Sequence, residues 1–175
     1  MSYGKRLLFF AAGCAVVFVA GCGQSSSYKD GGVVQRAGDP NVVGVRSEDA
    51  AMNAAMRTAR STVQTFITAL KAQKPGQLEF AVKKRFSDSY GDEHMWIGDL
   101  RYDGKAFHGR LNNRPVDVRA IKLGDAVTVA PDEISDWMYV DNGKLVGGYT
   151  IRVLVDKLPP NERKQVEQES GYTIS

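Results

Sequence analysis

The stretch EISDWMYVDNGKLVGGYTIRVL, Glu133 to Leu154, decides the fold. It reads as two strands, Ile134 to Val140 and Tyr149 to Val155, folded back about Asp141-Asn142-Gly143-Lys144. Asn-Gly accepts the positive φ that a tight hairpin turn demands, so the reversal is placed there. The residues from Leu78 to Val129 then supply partner strands. Leu78, Phe80, Val82 and Phe86 alternate with Glu79, Lys83 and Arg85, the pattern of a half-buried strand. Met95 to Tyr102 and Lys105 to Leu111 flank Asp103-Gly104, which predicts a second hairpin. Val116 to Ile121 reads as a short edge segment, and Leu123-Gly124-Asp125 turns into Ala126 to Ala130.

Ahead of the strands, Met52, Ala55, Met56, Ala59, Val63, Phe66, Ile67 and Leu70 recur at spacings of three and four. That is one apolar stripe of a long helix, capped by Ser47 with Glu48 and Asp49 behind it, and ended by Lys71 to Lys74 before Pro75-Gly76. The stripe reads as the face laid on the sheet. Pro159-Pro160 stops the last strand, and Asn161 to Glu169 is a charged helical tail. The fold class expected is therefore α+β: one long amphipathic helix on a strongly curled antiparallel sheet, with a half-barrel as its extreme form, and a short C-terminal helix.

The amino end reads as an address. Lys5 and Arg6 precede the uncharged apolar run Leu7 to Ala20, a secretory h-region too short to span a bilayer comfortably. Val19-Ala20-Gly21-Cys22 follows and resembles the lipobox of bacterial lipoproteins. That resemblance implies cleavage after Gly21 and a diacylglycerol on the Cys22 thiol. A rival at Ala11-Ala12-Gly13-Cys14 would leave an h-region below the usual length of roughly 7 to 15 residues. Residues 1–21 are thus expected to be a signal peptide and 22–46 a lipidated tether. The Gly, Ser, Asp and Asn content of the tether gives a reach of roughly 25 to 30 Å, and Val42-Val43 offers a short edge strand. Residues 47–158 form the folded domain and 159–175 a polar tail. Gly23, where an aspartate would retain a lipoprotein at the inner membrane, points to the outer membrane, facing the periplasm.

Composition narrows the chemistry. With 43% hydrophobic and 25% charged residues in 175, the chain is an ordinary single globular domain. Removing Lys5 and Arg6 from the 23 basic residues brings them within one of the 20 acidic residues. Only Lys83-Lys84-Arg85 is locally basic, which argues against nucleic acid. With Cys14 in the signal and Cys22 lipidated, disulfides, cysteine zinc sites and cysteine nucleophiles are excluded.

The candidate catalytic groups are Glu93, His94 and Asp136. His titrates near neutral pH, but Glu93 and His94 are adjacent on a strand and point to opposite faces. Ser135-Asp136 with His94 has the residue types of a triad without a nucleophile elbow. His94 and His108 lack metal-ligand spacing, so no metal and no cofactor is expected. Trp96, Trp137 and Tyr149 are the candidate binding surface, with His94 and Asp136 near one rim and the two tryptophans lining an adjoining groove. Gly143-Lys144 and Gly147-Gly148 are turn and bulge glycines, not a phosphate loop.

Seven ordered motifs carry a resemblance over Ala50 to Leu154: Phe80-x-Val82-Lys83, Glu93-His94-x-Trp96, Asp103-Gly104-x-x-Phe107-x-Gly109, Leu111-x-Asn113-x-Pro115, Gly124-Asp125-x-Val127, Ile134-Ser135-Asp136-Trp137-Met138 and Gly147-Gly148-Tyr149-Thr150-x-Arg152. In these the chain resembles the YegJ-like bacterial proteins, the domain-of-unknown-function family 2314. The resemblance implies a compact α+β domain, sometimes on lipoproteins, and brings no reaction or catalytic residue. The leading functional expectation is a non-catalytic module that binds an envelope protein or cell-wall component. A small enzyme using Glu93, His94 and Asp136 and a passive envelope spacer are the alternatives.

Overall fold

In a computed structural model of the chain, the residues described are 33–36, 39–43 and 50–174. Residues 1–21, expected to be a signal peptide, Cys22, Gly23 and the expected helix cap at Ser47 to Asp49 lie outside them. Two compact units divide at Arg46 and Ser47. In the first, β1 (Val33–Arg36) pairs antiparallel with β2 (Asp39–Val43), Val33 opposite Val43 and Val34 opposite Val42, so that Val42-Val43 pairs within its own two-stranded sheet.

The second unit is α+β, with four helices and an open six-stranded antiparallel sheet. Helices α1 (Ala50–Ser61) and α2 (Val63–Ala72) precede β3 (Gln77–Ser87), β4 (Asp92–Tyr102), β5 (Phe107–Leu111), β6 (Ala126–Val129), β7 (Ile134–Asp141) and β8 (Lys144–Gly147). Helices α3 (Tyr149–Asp156) and α4 (Pro160–Ser170) follow. The strand order is β6-β5-β4-β3-β7-β8. The chain thus meanders outward from β3, then returns so that β7 flanks β3 on its other side.

The expected long helix is divided at Thr62. The Trp137 indole donates to the Ala59 carbonyl at 2.9 Å, and the Thr62 hydroxyl donates back to Thr58 and Ala59 carbonyls. Side chains therefore occupy the Ala59 carbonyl, which a continuous helix would reserve for the Val63 N–H, and such insertion breaks or bends helices. The apolar stripe survives the break: Ala55, Ala59, Val63, Phe66, Ile67 and Leu70 are all buried. They pack with Val82, Ile97, Phe107, Leu111, Trp137 and Tyr139 into the main core. A smaller cluster of Ala81, Met138, Val140 and Leu145 takes Trp96, Ile151, Tyr172 and Ile174 against it.

Four expectations are corrected. In β3 the alternation slips, because Glu79 adopts φ 56° and the register shifts between Leu78 and Ala81. Leu78 is left 63% exposed, while Ala81 and Val82 enter different clusters. The Asp103-Gly104 hairpin exists, but its turn runs through Ala106, with the Asp103 carboxylate accepting the N–H groups of Lys105 and Ala106. Val116 to Ile121 is not a strand; it is a loop that buries Val118. Tyr149 to Val155 is helix α3. Gly147 at φ 73° and Gly148 at φ 61° end the strand, and Gly148 caps the helix. A side chain at Gly147 would collide with the Trp137 carbonyl and ring, so glycine is required for the close approach as well as for the backbone angle. β-branched composition favoured a strand here, and tertiary context overrode it.

The Asn142-Gly143 turn is as expected, with φ 48° and 79° between β7 and β8. The last residues also join the fold: Thr173 receives the Leu145 N–H on its carbonyl and donates its own N–H to Gly143, beside β8.

Candidate functional site

The sheet register brings together residues that sequence spacing separates. Lys83 on β3 is the partner of Trp96 on β4 and of Asp136 on β7, and Arg85 is the partner of His94. Val82 and Ile97, one position away, face the helices. Alternation therefore puts Lys83, His94 and Trp96 on the opposite face.

Asp136 is fully buried and its carboxylate is saturated. Oδ1 accepts the backbone N–H groups of Trp137 at 2.8 Å and Tyr149 at 3.1 Å. Oδ2 accepts the Thr150 N–H at 2.8 Å and the Thr150 hydroxyl at 2.6 Å. Two of the four donors are the first N–H groups of α3, which no intrahelical carbonyl can satisfy, and the helix dipole favours an anion there. Asp136 is thus the N-terminal cap of α3, supplied from a neighbouring strand. Lys83 completes the arrangement, its Nζ donating to Thr150 Oγ1 at 3.3 Å and lying 5.3 Å from the centre of the Trp96 ring. Burial pushes the Asp136 carboxyl up, while Thr150, Lys83 and the Trp137 N–H hold it back. Burial pushes the Lys83 ammonium down, with Asp136 pulling the other way.

His94 shares a 2.8 Å hydrogen bond between its Nδ1 and Ser135 Oγ, and Ser135 is buried. The residue as a whole is exposed. Partial burial, then the charges of Lys83, Arg85 and Arg60, lower its pKa to about 4, with Asp92 opposing. Its imidazole is neutral at neutral pH. His94 therefore stands beside the Asp136 cluster, joined to it through Ser135.

The other expected site residues fall elsewhere. Glu93 accepts the Val116 and Asp117 N–H groups at 2.7 and 3.2 Å and fastens the loop before β6. His108 is tied to Asp103 at 2.8 Å and to Thr128 at 3.1 Å. Trp137 is buried on the helix side, where Tyr149 meets it edge-on at 5.5 Å. Tyr149 in turn shares a 3.1 Å hydrogen bond with Thr62. Trp96 and Trp137 therefore occupy opposite faces and line no common groove; Trp137 cannot serve as a surface platform while it is the centre of the core. Lys83 and Thr150 were missed from sequence. The only signal for Thr150 was a small polar residue after two glycines, which gains meaning once α3 is recognised as a helix.

Two depressions lie away from this cluster. The larger, about 490 Å³, runs between α2 and the start of β3, with Gln64, Thr65, Thr68, Ala69 and Lys74 on its walls and Tyr139 below. A smaller one of about 300 Å³ is lined by Leu70, Lys71 and Tyr102. Among the described residues no three His, Cys, Asp or Glu side chains converge as metal ligands, and no helix is long and apolar enough to cross a membrane.

Comparison with known proteins fits this architecture to a family. Residues 49–174 match domain-of-unknown-function family 2314, described as an uncharacterized protein conserved in bacteria. The chain is 34% identical over 116 residues to the uncharacterized protein YegJ of Escherichia coli K12, covering 66% of this chain and 74% of that one. It is 36% identical over 142 residues to a Neisseria meningitidis serogroup B protein provisionally named as an ankyrin repeat protein. That match covers 77% of this chain, which spans 56% of the Neisseria protein's length. No solved structure matches. The chain belongs to the 2314 family.

Proposed function

We propose that this member of the 2314 family is a lipid-anchored protein of the bacterial envelope whose folded domain is a non-catalytic binding module. The observation that carries the reading is the saturation of Asp136. A general acid or base must exchange a proton with substrate, and this carboxylate spends both oxygens on four internal donors, two of them the opening N–H groups of α3. Ser135 is buried beside it, so the hydroxyl nearest His94 has no open approach for a substrate. Glu93 is occupied with the Val116 loop. The three residue types that suggested an enzyme are accounted for by capping, strand pairing and loop fastening.

The anchor is Cys22, with the amino-terminal segment as signal and tether, and the domain faces the periplasm from the outer membrane. The lipobox resemblance supports this. Two measurements test the proposal. Cys22→Ala should abolish labelling by a radioactive fatty acid and release the protein from the membrane fraction; labelled, membrane-bound Cys22→Ala protein refutes the anchor. Crosslinking in intact cells followed by purification should recover one envelope component in fixed proportion. A preparation that instead turns over a substrate, with loss of turnover in His94→Ala, refutes the non-catalytic reading.

A further inference from the structure

The tip of the last hairpin combines exposure with a reactive dipeptide. Asn142 is the only asparagine in the sequence followed by glycine. Both residues are exposed, at φ 48° and 79°, and nothing lies within 4 Å of the place where a Gly143 side chain would stand. The Gly143 N–H gives no hydrogen bond to any described residue, so its nitrogen is free to turn on the carboxamide of the residue before it. Asn142 Nδ2 donates to Asp141 Oδ1 at 2.7 Å, which sets a carboxylate beside the nitrogen that such an attack expels. The Asp103-Gly104 turn is the opposite case. The Ala106 N–H, the His108 ring and the Lys105 N–H hold the Asp103 carboxyl well below the usual carboxylate range, and an ionised carboxylate is a poor electrophile.

The same tip is a junction. The Asn142 N–H donates to the Gly76 carbonyl at 2.9 Å, just before β3. The Gly143 carbonyl accepts the Thr173 N–H at 2.9 Å, and the Thr173 carbonyl accepts the Leu145 N–H at 2.9 Å, so a single C-terminal residue extends the sheet beside Lys144. That short contact lays Tyr172 and Ile174 on the cluster of Ala81, Met138, Val140 and Leu145. The remaining backbone bond of the segment, from the Ile174 N–H to Glu167, goes to α4, and α4 itself buries no residue. The seat of the C-terminal segment on the sheet therefore depends on where the Gly143 carbonyl stands.

We propose that Asn142 is a site of spontaneous deamidation, and that its isoaspartyl product releases Tyr172 to Ile174 from the edge of β8. The Gly143 nitrogen attacks Asn142 Cγ; the new N–Cγ bond closes a cyclic imide, and the side-chain nitrogen leaves as ammonia, taking the proton that the Gly143 nitrogen gives up. Water then opens the ring. Addition at Cγ yields aspartate, and addition at the main-chain carbonyl yields isoaspartate, whose chain runs through the former side chain and is one atom longer. Nothing is oxidised or reduced, and water is the only co-reactant. The longer turn carries the Gly143 carbonyl away from the Thr173 N–H, and the outer apolar cluster loses its cover.

The test ages the full chain at mildly alkaline pH, where the attacking amide nitrogen is more often deprotonated, and follows each asparagine by peptide mass spectrometry, with isoaspartate labelled by a protein isoaspartyl methyltransferase. Isoaspartate should accumulate at Asn142 and at no other asparagine, faster as pH rises. Asn142→Gln, whose longer side chain closes the ring poorly, should lose the label. Amide exchange on the aged chain should show lost protection at Leu145 and Thr173 with Val82 in the main core unchanged, while Asn142→Gln aged in parallel keeps all three protected. A folded chain that keeps Asn142 intact while the urea-unfolded chain converts overturns the site. Conversion with unchanged protection at Leu145 and Thr173 overturns the release. Neither result bears on the binding-module reading, which stands on Asp136.

Discussion

Replacing Asp136 by Ala is the sharpest test of how the polar cluster works. The substitution removes the acceptor for three backbone N–H groups and the Thr150 hydroxyl, all at 3.1 Å or less. It also leaves the half-buried Lys83 ammonium without its counter-charge. Loss of a helix cap alone costs about 0.5 to 2 kcal/mol. Leaving a buried donor without an acceptor costs about 1 to 3 kcal/mol for each group. These penalties share the same atoms and do not add in full, so the expected destabilisation is about 3 to 5 kcal/mol. Against a total stability of about 5 to 15 kcal/mol, the variant should be folded but near its threshold. Urea unfolding at neutral pH reads this as a lowered midpoint with the slope retained. Thr150→Val, which removes one hydroxyl from the same cluster, should cost only about 1 kcal/mol. A change below about 0.5 kcal/mol in Asp136→Ala, the size of an ordinary surface substitution, would refute the capping account.

Three other consequences can be checked on the same preparation. Gly143→Val should destabilise by about 1 kcal/mol through its positive φ alone, because nothing lies within 4 Å of a side chain there; an unchanged midpoint would show that the turn has no such requirement. Trp137→Phe deprives the Ala59 carbonyl of the indole N–H and should cost about 2 kcal/mol, with restored continuity of α1 and α2 seen as amide protection at Val63; a variant as stable as the parent contradicts the cause given for the helix break. His94, with a pKa lowered from 6.5 to about 4, binds fewer protons in the folded state, so its contribution is present above about 6.5 and is lost as pH falls through about 4. His94→Gln should flatten the midpoint-against-pH curve across that window, and an unaltered slope would mean that other groups carry it.

The sequence made the Asn142-Gly143 turn legible, because it is a local statement about φ that tertiary packing had no reason to contradict; Asp103-Gly104 marked the reversal but not the turn, which runs on through Ala106. The helical stripe was legible for the same reason: Ala55 to Leu70 repeats at helical spacing, and every buried position belongs to it. Its break at Thr62 was not legible, since the cause is an indole on a strand that arrives 75 residues later. Leu78 misled because one residue, Glu79 at positive φ, shifts the pleat and sends the leucine outward. Tyr149 to Val155 misled most. Val, Ile and Thr argue for a strand, and only the pair Gly147-Gly148 hinted that the chain could leave the sheet there. The functional candidates inherited that error: Asp136 looked like an acid at the rim of a groove only while the residues opposite it were assigned to a strand. Once they form a helix, their N–H groups need an acceptor, and Asp136 is it.

The same alternation on β7 links the helix break to the aromatic core. Trp137 and Tyr139 are two residues apart and so face the same side, toward the helices. Trp137 takes the Ala59 carbonyl and divides the helix. Its neighbour Tyr139, stacked between it and Phe80, lies beneath the second helix and contributes to the depression. The buried positions Ala59, Val63, Phe66, Ile67 and Leu70 keep helical spacing across Thr62, so the break changes the hydrogen bonding of the helix and not the face it lays on the sheet. The indole of Trp137 therefore takes one carbonyl from the helix without displacing its apolar contacts, which is why Trp137→Phe should report first as amide protection at Val63 and only second as a change in packing.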